Sequence, residues 1–553
     1  MREKTQKSFL SGVLLLTIST ISVKIIGLIY KIPMLAYLGT EGMGYFNSAY
    51  EIYALFCIIS TAGLPVALSV LISGAVAKER EDDVPRIYRA AFLIFFCVGI
   101  LGSGIMVFFA RSFCNMIQSE NAYYSILSIA PTVLFICISS ALRGYFQGYQ
   151  RMLPTAVSQI LESIGKLVFG LLFASHALNK GYDTAIVAAY AGLGLTVGTL
   201  LSVVYLVLAK LRFRPRTKAL LNASLLQPTY QTVWTSLARL AVPMTLGASL
   251  VSVTKLIDMT MILRRLQSIG YSEVLANKAY GSYTTLALSI FSLLPTLLNA
   301  VALPLVPSLS AAIATNDKPR QIQMICASYR LTAIFAIPAA LGISAFAKPV
   351  LSLLFGYNSE AVSTAAPLLS YLGVSVFLSC MITATNSVLH AYQVVNRPIL
   401  STMVGAVVKI ISAYLLIGNP SIGLIGAPIS TFLCNLCVVL LNLYFVSRLC
   451  NIPDVLSFFT RPLLASTPAI GIGFAIYQYY ARKSEPGVLF TLLLFVGIAL
   501  LYLLLACVTG TIRAEDVKSM PMGDLIYRNL KRLHLLKEDG SLERNRTVQD
   551  ENN

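Results

Sequence analysis

The chain has 553 residues, 56% of them hydrophobic and only 12% charged, with a formal net charge of +18. Soluble domains carry about 25% charged residues, so a string of soluble domains is excluded and a polytopic membrane protein is implied. The three histidines, His176, His390 and His534, are far apart, and neither a Gly-rich phosphate loop nor a G-x-S-x-G element is present. These features argue against a histidine metal cluster, ATP-driven chemistry and a serine nucleophile of that type.

A hydrocarbon core about 30 Å thick takes roughly 20 apolar residues per helix. Fourteen runs qualify: 9–32, 49–76, 88–110, 122–142, 154–176, 184–209, 237–263, 279–306, 328–347, 364–390, 398–418, 422–447, 461–481 and 487–509. The first begins with basic residues, as a secretory leader does. No small-residue cleavage site follows, and the run continues through Lys24, so it reads as an uncleaved first helix. Ten cysteines are scattered, mostly within apolar runs, and read as packing residues, as do Cys434 and Cys437 of a lone CxxC. No metal site is expected. Residues 511–553 form a polar tail with an amphipathic stretch at 523–536 and a disordered end.

Lysine and arginine set the orientation. With the N-terminus inside, 21 of them fall in cytoplasmic segments before the tail, eight more in the tail and eight in outer loops. The net charge is thus mostly a topology signal. Both termini are expected in the cytoplasm, and nucleic acid is not an expected partner. Small and helix-breaking residues, Gly63, Pro65, Pro295, Pro304 and Pro307, mark helices two and eight as places for bending.

Five basic residues remain inside the runs: Lys24, Lys31, Lys166, Lys255 and Lys409, joined by Glu51, Glu162 and Asp258. A charge at mid-membrane costs at least about 2.5 kcal/mol, so such residues face a bundle interior or a wet cavity. An internal repeat sharpens their placement. SVKIIG (22–27) resembles VTKLID (253–258), GLPVALSVLISGAVA (63–77) resembles ALPLVPSLSAAIATN (302–316), and YQRMLP (149–154) resembles YQVVNRP (392–398). The unit is six helices, which predicts two parallel repeats, 1–218 and 219–448, followed by two further helices in 449–510. Lys24 then corresponds to Lys255, and Lys166 to Lys409.

Lys24 and Lys31 are two helical turns apart and stack on one face, as do Asp258 and Arg265. Glu51 is placed to pair with Lys31. Glu162 and Lys166, at i and i+4, read as an internal ion pair. Lys31, Arg264 and Arg265 lie near span ends, where snorkelling to headgroups is the plain alternative; for Lys409 it is a packing hydrogen bond.

GLIYKIPMLAYLGTEGMGYFNSAYEIYALFCIISTAGLPVALSVLIS (27–73) and ALRGYFQGYQRMLPTAVSQILE (141–162) resemble the stage V sporulation protein B and MurJ-like branch of the MOP superfamily of exporters. The resemblance implies an all-α fold of 14 transmembrane helices, two six-helix lobes in a V plus two C-terminal helices. It implies a monomeric, non-enzymatic flippase for lipid-linked cell-wall precursors such as lipid II, with membrane lipids as further partners. Lys24, Lys31, Lys255, Arg264 and Arg265 would then bind the anionic headgroup, and Glu51, Asp258 and Glu162 would balance charge or hold a coupling cation, Na+ or H+. Lysine offers a point charge where several relatives carry the arginine fork. A cation-coupled multidrug antiporter of the same superfamily is the alternative; the excess of Lys and Arg over Asp and Glu in the central helices favours an anionic cargo.

Overall fold

A computed structural model describes residues 2–78, 80–213, 229–302, 305–356, 360–394, 396–450, 457–483 and 486–511. Pro304 and the tail beyond 511, with its amphipathic stretch, lie outside them. Every regular element among the described residues is helical. Among the described residues, twelve helices are long and apolar enough to cross a membrane, which makes the chain a multi-pass membrane protein.

The first of these candidates, Ile18–Ala77, contains the greater part of the first run read from the sequence and all of the second. It comprises most of α1 (Arg2–Thr61) and all of α2 (Leu64–Ala77). Gly39 interrupts α1 with φ 62° and ψ −177°, a conformation essentially restricted to glycine. On a straight helix Tyr30 and Phe46 would be about 24 Å apart at 1.5 Å per residue. Their ring centroids are 6.4 Å apart, so the chain turns back on itself at Gly39. The run 461–481 lies in α17 (Ser457–Ala481), which stands outside the twelve.

The remaining helices follow the apolar runs: α3 (Val84–Phe108), α4 (Ala110–Ile117), α5 (Tyr123–Gly148), α6 (Leu153–Asn179), α7 (Thr184–Arg212), α8 (Tyr230–Ser268), α9 (Glu273–Ser282), α10 (Leu288–Ala302), α11 (Leu305–Ala314), α12 (Lys318–Ala345), α13 (Ala347–Phe355), α14 (Glu360–Ala391), α15 (Asn396–Ile417), α16 (Gly426–Ser447) and α18 (Val488–Val508). Proline opens α2, α3, α6 and α12, where its missing N–H costs nothing. Ser272 caps α9 by accepting from the Leu275 N–H, and Asp317 caps α12 by accepting from the Arg320 N–H.

Two compact units result. The first holds residues up to Ser289 together with Ile410–Ala427, so α8 and α9, which the repeat assigns to the second lobe, pack here with α1. Its core joins Leu68, Ile72, Phe95, Phe146 and Leu206 to Val233 and Leu237 of α8. α6 and α7 meet through Gly165 against Gly198 and Gly170 against Gly194; a methyl group on Gly165, Gly194 or Gly198 would strike the facing backbone. The second unit holds Ile290–Lys409 and the chain from Pro428 onward. Its main core surrounds Leu309, Tyr329, Met381, Leu389 and Val446. α17 and α18 pack on each other through Ala465, Ala469, Tyr502 and Ala506, and the Tyr502 hydroxyl donates to the Ile334 carbonyl at 2.7 Å.

Candidate functional site

The in-span lysines of α1 and α8 meet within the first unit. Lys24 and Lys255 are both accessible and lie within electrostatic reach of each other. Lys31 is half-buried and lies within reach of Lys24, Lys166, Lys255 and Glu51. Asp258 sits one turn beyond Lys255 on α8, and it and Glu51 both interact with the buried Tyr280 of α9. Cations and carboxylates from α1, α6 and α8, with Tyr280 of α9, therefore share one polar region.

Lys31 keeps Glu51 within electrostatic reach. Its ammonium donates to the Ser289 hydroxyl at 2.7 Å and to the Thr284 carbonyl at 3.5 Å. That carbonyl is reachable because Tyr283–Ala287 winds as a π-helix between α9 and α10. A π turn displaces the usual i→i−4 bonding and recurs at functional positions. Asn47, on α1 beyond Gly39, donates to the hydroxyls of Thr284 and Thr285 at 2.8 and 2.9 Å. Two donors on α1 thus fasten this turn.

Glu162 and Lys166 do not form the expected pair. Glu162 accepts from Arg143 at 2.7 Å, and Arg143 also donates to the hydroxyls of Ser158 and Ser202. Arg143 follows directly on an apolar run and reads from sequence as a cytoplasmic loop charge; it is instead buried in α5, at the junction with α6 and α7. Lys166 keeps Glu162 within electrostatic reach, but its ammonium lies over the rings of Tyr30, Phe46 and Tyr50 at 5.0, 5.6 and 4.7 Å.

Arg264 and Arg265 sit at the far end of α8, about 14–15 Å along the axis from Lys255. Arg264 donates to the Asn115 carbonyl at 3.3 Å. Arg265 stacks on Tyr414 at 4.1 Å and donates to its carbonyl at 3.2 Å. Lys409 belongs to the second unit, on α15.

Chemically, this region suits an anion. With Glu162 neutralised by Arg143, four lysines (Lys24, Lys31, Lys166, Lys255) face two carboxylates (Glu51, Asp258), a surplus of two positive charges when every lysine is protonated and both carboxylates are ionised. Like charges held together in a membrane-spanning region oppose the fold until an anion lies between them. Asn47, Tyr280, Thr284, Ser289 and Arg143 escape the sequence reading. A π turn has no sequence signature, and Arg143 is hidden by its place at the edge of an apolar run.

A family model described as polysaccharide biosynthesis protein matches residues 9–313. Stage V sporulation protein B of Bacillus subtilis (strain 168) is 25% identical over 95% of this chain and 100% of its own. The lipid II flippase MurJ of the same organism is 25% identical over 73% of this chain and 76% of its own. Among solved structures, an inward closed conformation of lipid II flippase MurJ shares the fold at a TM-score of 0.68 and 14% identity, covering 90% of this chain and 98% of that one. Both stretches that carry the resemblance lie within the matched residues.

Proposed function

The chain belongs to the polysaccharide biosynthesis protein family, and on that premise we propose that it is a flippase that carries a lipid-linked cell-wall precursor, lipid II or a related polyprenyl-diphosphate glycan, from the inner to the outer leaflet. The observation that carries this reading is the gathering of Lys24, Lys31 and Lys255 from α1 and α8 within mutual reach. A diphosphate diester bears two negative charges, matching the surplus of two. Passage of the bare headgroup through hydrocarbon is prohibitive because its polar groups go unpaired. A cationic, accessible polar region offers it a route while the tail stays in lipid.

In this scheme Lys24 and Lys255 attract the diphosphate and Lys31 closes on it. Arg264 and Arg265 act further out, on the way to the outer leaflet. Glu51 and Asp258 keep the unloaded region from excessive repulsion and are the places for a coupling Na+ or H+. Glu162, held by Arg143, serves charge balance. The lobes rock to expose the region to each side in turn, the protein works as a monomer, and both termini are cytoplasmic. The chain's relatives by sequence are named as a sporulation protein and a flippase, and no enzymatic step is part of the proposal.

The test is translocation in proteoliposomes, lipid II against a teichoic-type precursor, for wild type, Lys24→Ala and Lys255→Ala. Loss of about tenfold in each variant is expected, the value of one charge-assisted contact near 1.5 kcal/mol. Undiminished translocation in both variants, or export of an organic cation with no movement of either precursor, would overturn the reading.

A further inference from the structure

YQRMLP, one of the repeated motifs, has no part in the lysine cluster, yet it shapes a separate basic feature at the ends of α5, α6 and α7. Gln150 adopts a left-handed φ of 56°, and this turn brings the Arg151 N–H back to the Phe146 carbonyl at 2.9 Å. The Arg151 guanidinium then stacks on Phe213 at 4.5 Å. Phe213 is itself wedged among Tyr145, Phe146 and Tyr149, with centroids 5.2 to 6.3 Å away. The guanidinium is therefore oriented by the ring on one face while the residue stays exposed. Beside it lies a cavity of about 410 Å³ lined by Phe146, Arg151, Pro154, Ala209, Arg212 and Phe213.

Neither Arg151 nor Arg212 enters an ion pair among the described residues, and no carboxylate lines the cavity. Glu81 is the nearby acid, within electrostatic reach of Tyr145 and Tyr149. Lys210, over Tyr88 at 3.2 Å with Arg89 in reach, adds positive charge on the same side. The C-terminal end of α7 offsets only part of one such charge. The second copy of the motif is a useful contrast. Gln393 repeats the left-handed turn at φ 60°, and Arg397 lies over Phe445 at 5.5 Å. There, however, the guanidinium is occupied by the Phe445 carbonyl at 3.3 Å. The turn and the stack are shared by both copies; in the first, two arginines line a cavity.

We propose that Arg151 and Arg212 hold the phosphodiester headgroup of an anionic glycerophospholipid from the inner leaflet. The volume lies within the range of small-ligand sites, about 300–1,000 Å³. Basic pockets between transmembrane helices on the cytoplasmic side recognise such headgroups, and two forked guanidiniums suit a phosphate. This site stands independently of the cargo reading.

The test is native mass spectrometry of the full chain in detergent, titrated with phosphatidylglycerol or phosphatidylcholine. Wild type should retain one phosphatidylglycerol in preference to phosphatidylcholine. Arg151→Gln/Arg212→Gln should lower that occupancy about tenfold, Arg151→Lys/Arg212→Lys should keep most of it, and Arg448→Gln, in the second unit, should change nothing. Millimolar inorganic phosphate should not displace the lipid. Unchanged retention in the glutamine variant, equal retention of phosphatidylcholine, or displacement by phosphate each overturns the proposal. So does an equal loss in both double variants accompanied by a lower melting temperature, which would make the arginines structural.

Discussion

At the residue scale, the lysines and the Arg143–Glu162 pair do different work. Lys24, Lys31 and Lys255 lie within reach of one another and are only partly offset by Glu51 and Asp258, whereas Arg143 and Glu162 satisfy each other. Breaking a buried pair leaves one charge stranded, at a cost of about 3–5 kcal/mol. Arg143→Met alone should therefore lower thermal stability in detergent sharply, and Arg143→Met/Glu162→Met should recover much of the loss; additive losses would show that the two residues act separately. In the proposed scheme Lys31 has a double task, since the ammonium assigned to cargo also fastens Thr284 and Ser289. Ser289→Ala should destabilise by about 1 kcal/mol, one hydrogen bond, while leaving cargo affinity at or above wild type because Lys31 is released. A fall in affinity equal to that of Lys31→Met would assign the serine to the binding surface itself.

At the element scale, the helices were legible because a bilayer demands long apolar runs, and the described residues of the runs are almost all helical, although several runs cross from one helix into the next. What the runs hide are their interruptions. The turn at Gly39 lies between two runs with no proline at the break, and only its backbone angles identify it. A non-glycine residue there costs about 1–3 kcal/mol. No neighbouring atom would meet an added methyl group, so Gly39→Ala isolates that backbone term. Its melting temperature should fall, and an unchanged value would mean that α1 tolerates another path. The π turn at Tyr283–Ala287 is the other hidden feature. Deleting Thr285 should restore ordinary α winding and remove the acceptor that holds Lys31, visible as faster amide exchange around residues 28–34; unaltered exchange would deny the turn that role.

At the scale of the molecule, the repeat identified Lys24 with Lys255 from six-residue similarities, and the structure brings those two residues within reach of each other. The same repeat paired Lys166 with Lys409, which fall in different compact units. The candidate site was thus half legible: charges in apolar runs announce themselves, while their hydroxyl and carbonyl partners are ordinary residues until the fold selects them. The fold alone does not choose the cargo. Growth rescue of a bacterium depleted of its own lipid II flippase should succeed with the wild-type chain and fail with Lys24→Ala/Lys255→Ala expressed at equal level. Equal rescue by both would separate the lysines from transport.

The most direct measurement is the affinity of the purified chain for undecaprenyl diphosphate, with Lys24, Lys31 and Lys255 changed to glutamine singly and together, at low and high salt. Three ammonium groups sharing one diphosphate predict roughly tenfold weaker binding for each single change, a triple variant with little binding left, and affinity that falls as salt rises. Affinity indifferent to all three substitutions and to salt would contradict the account.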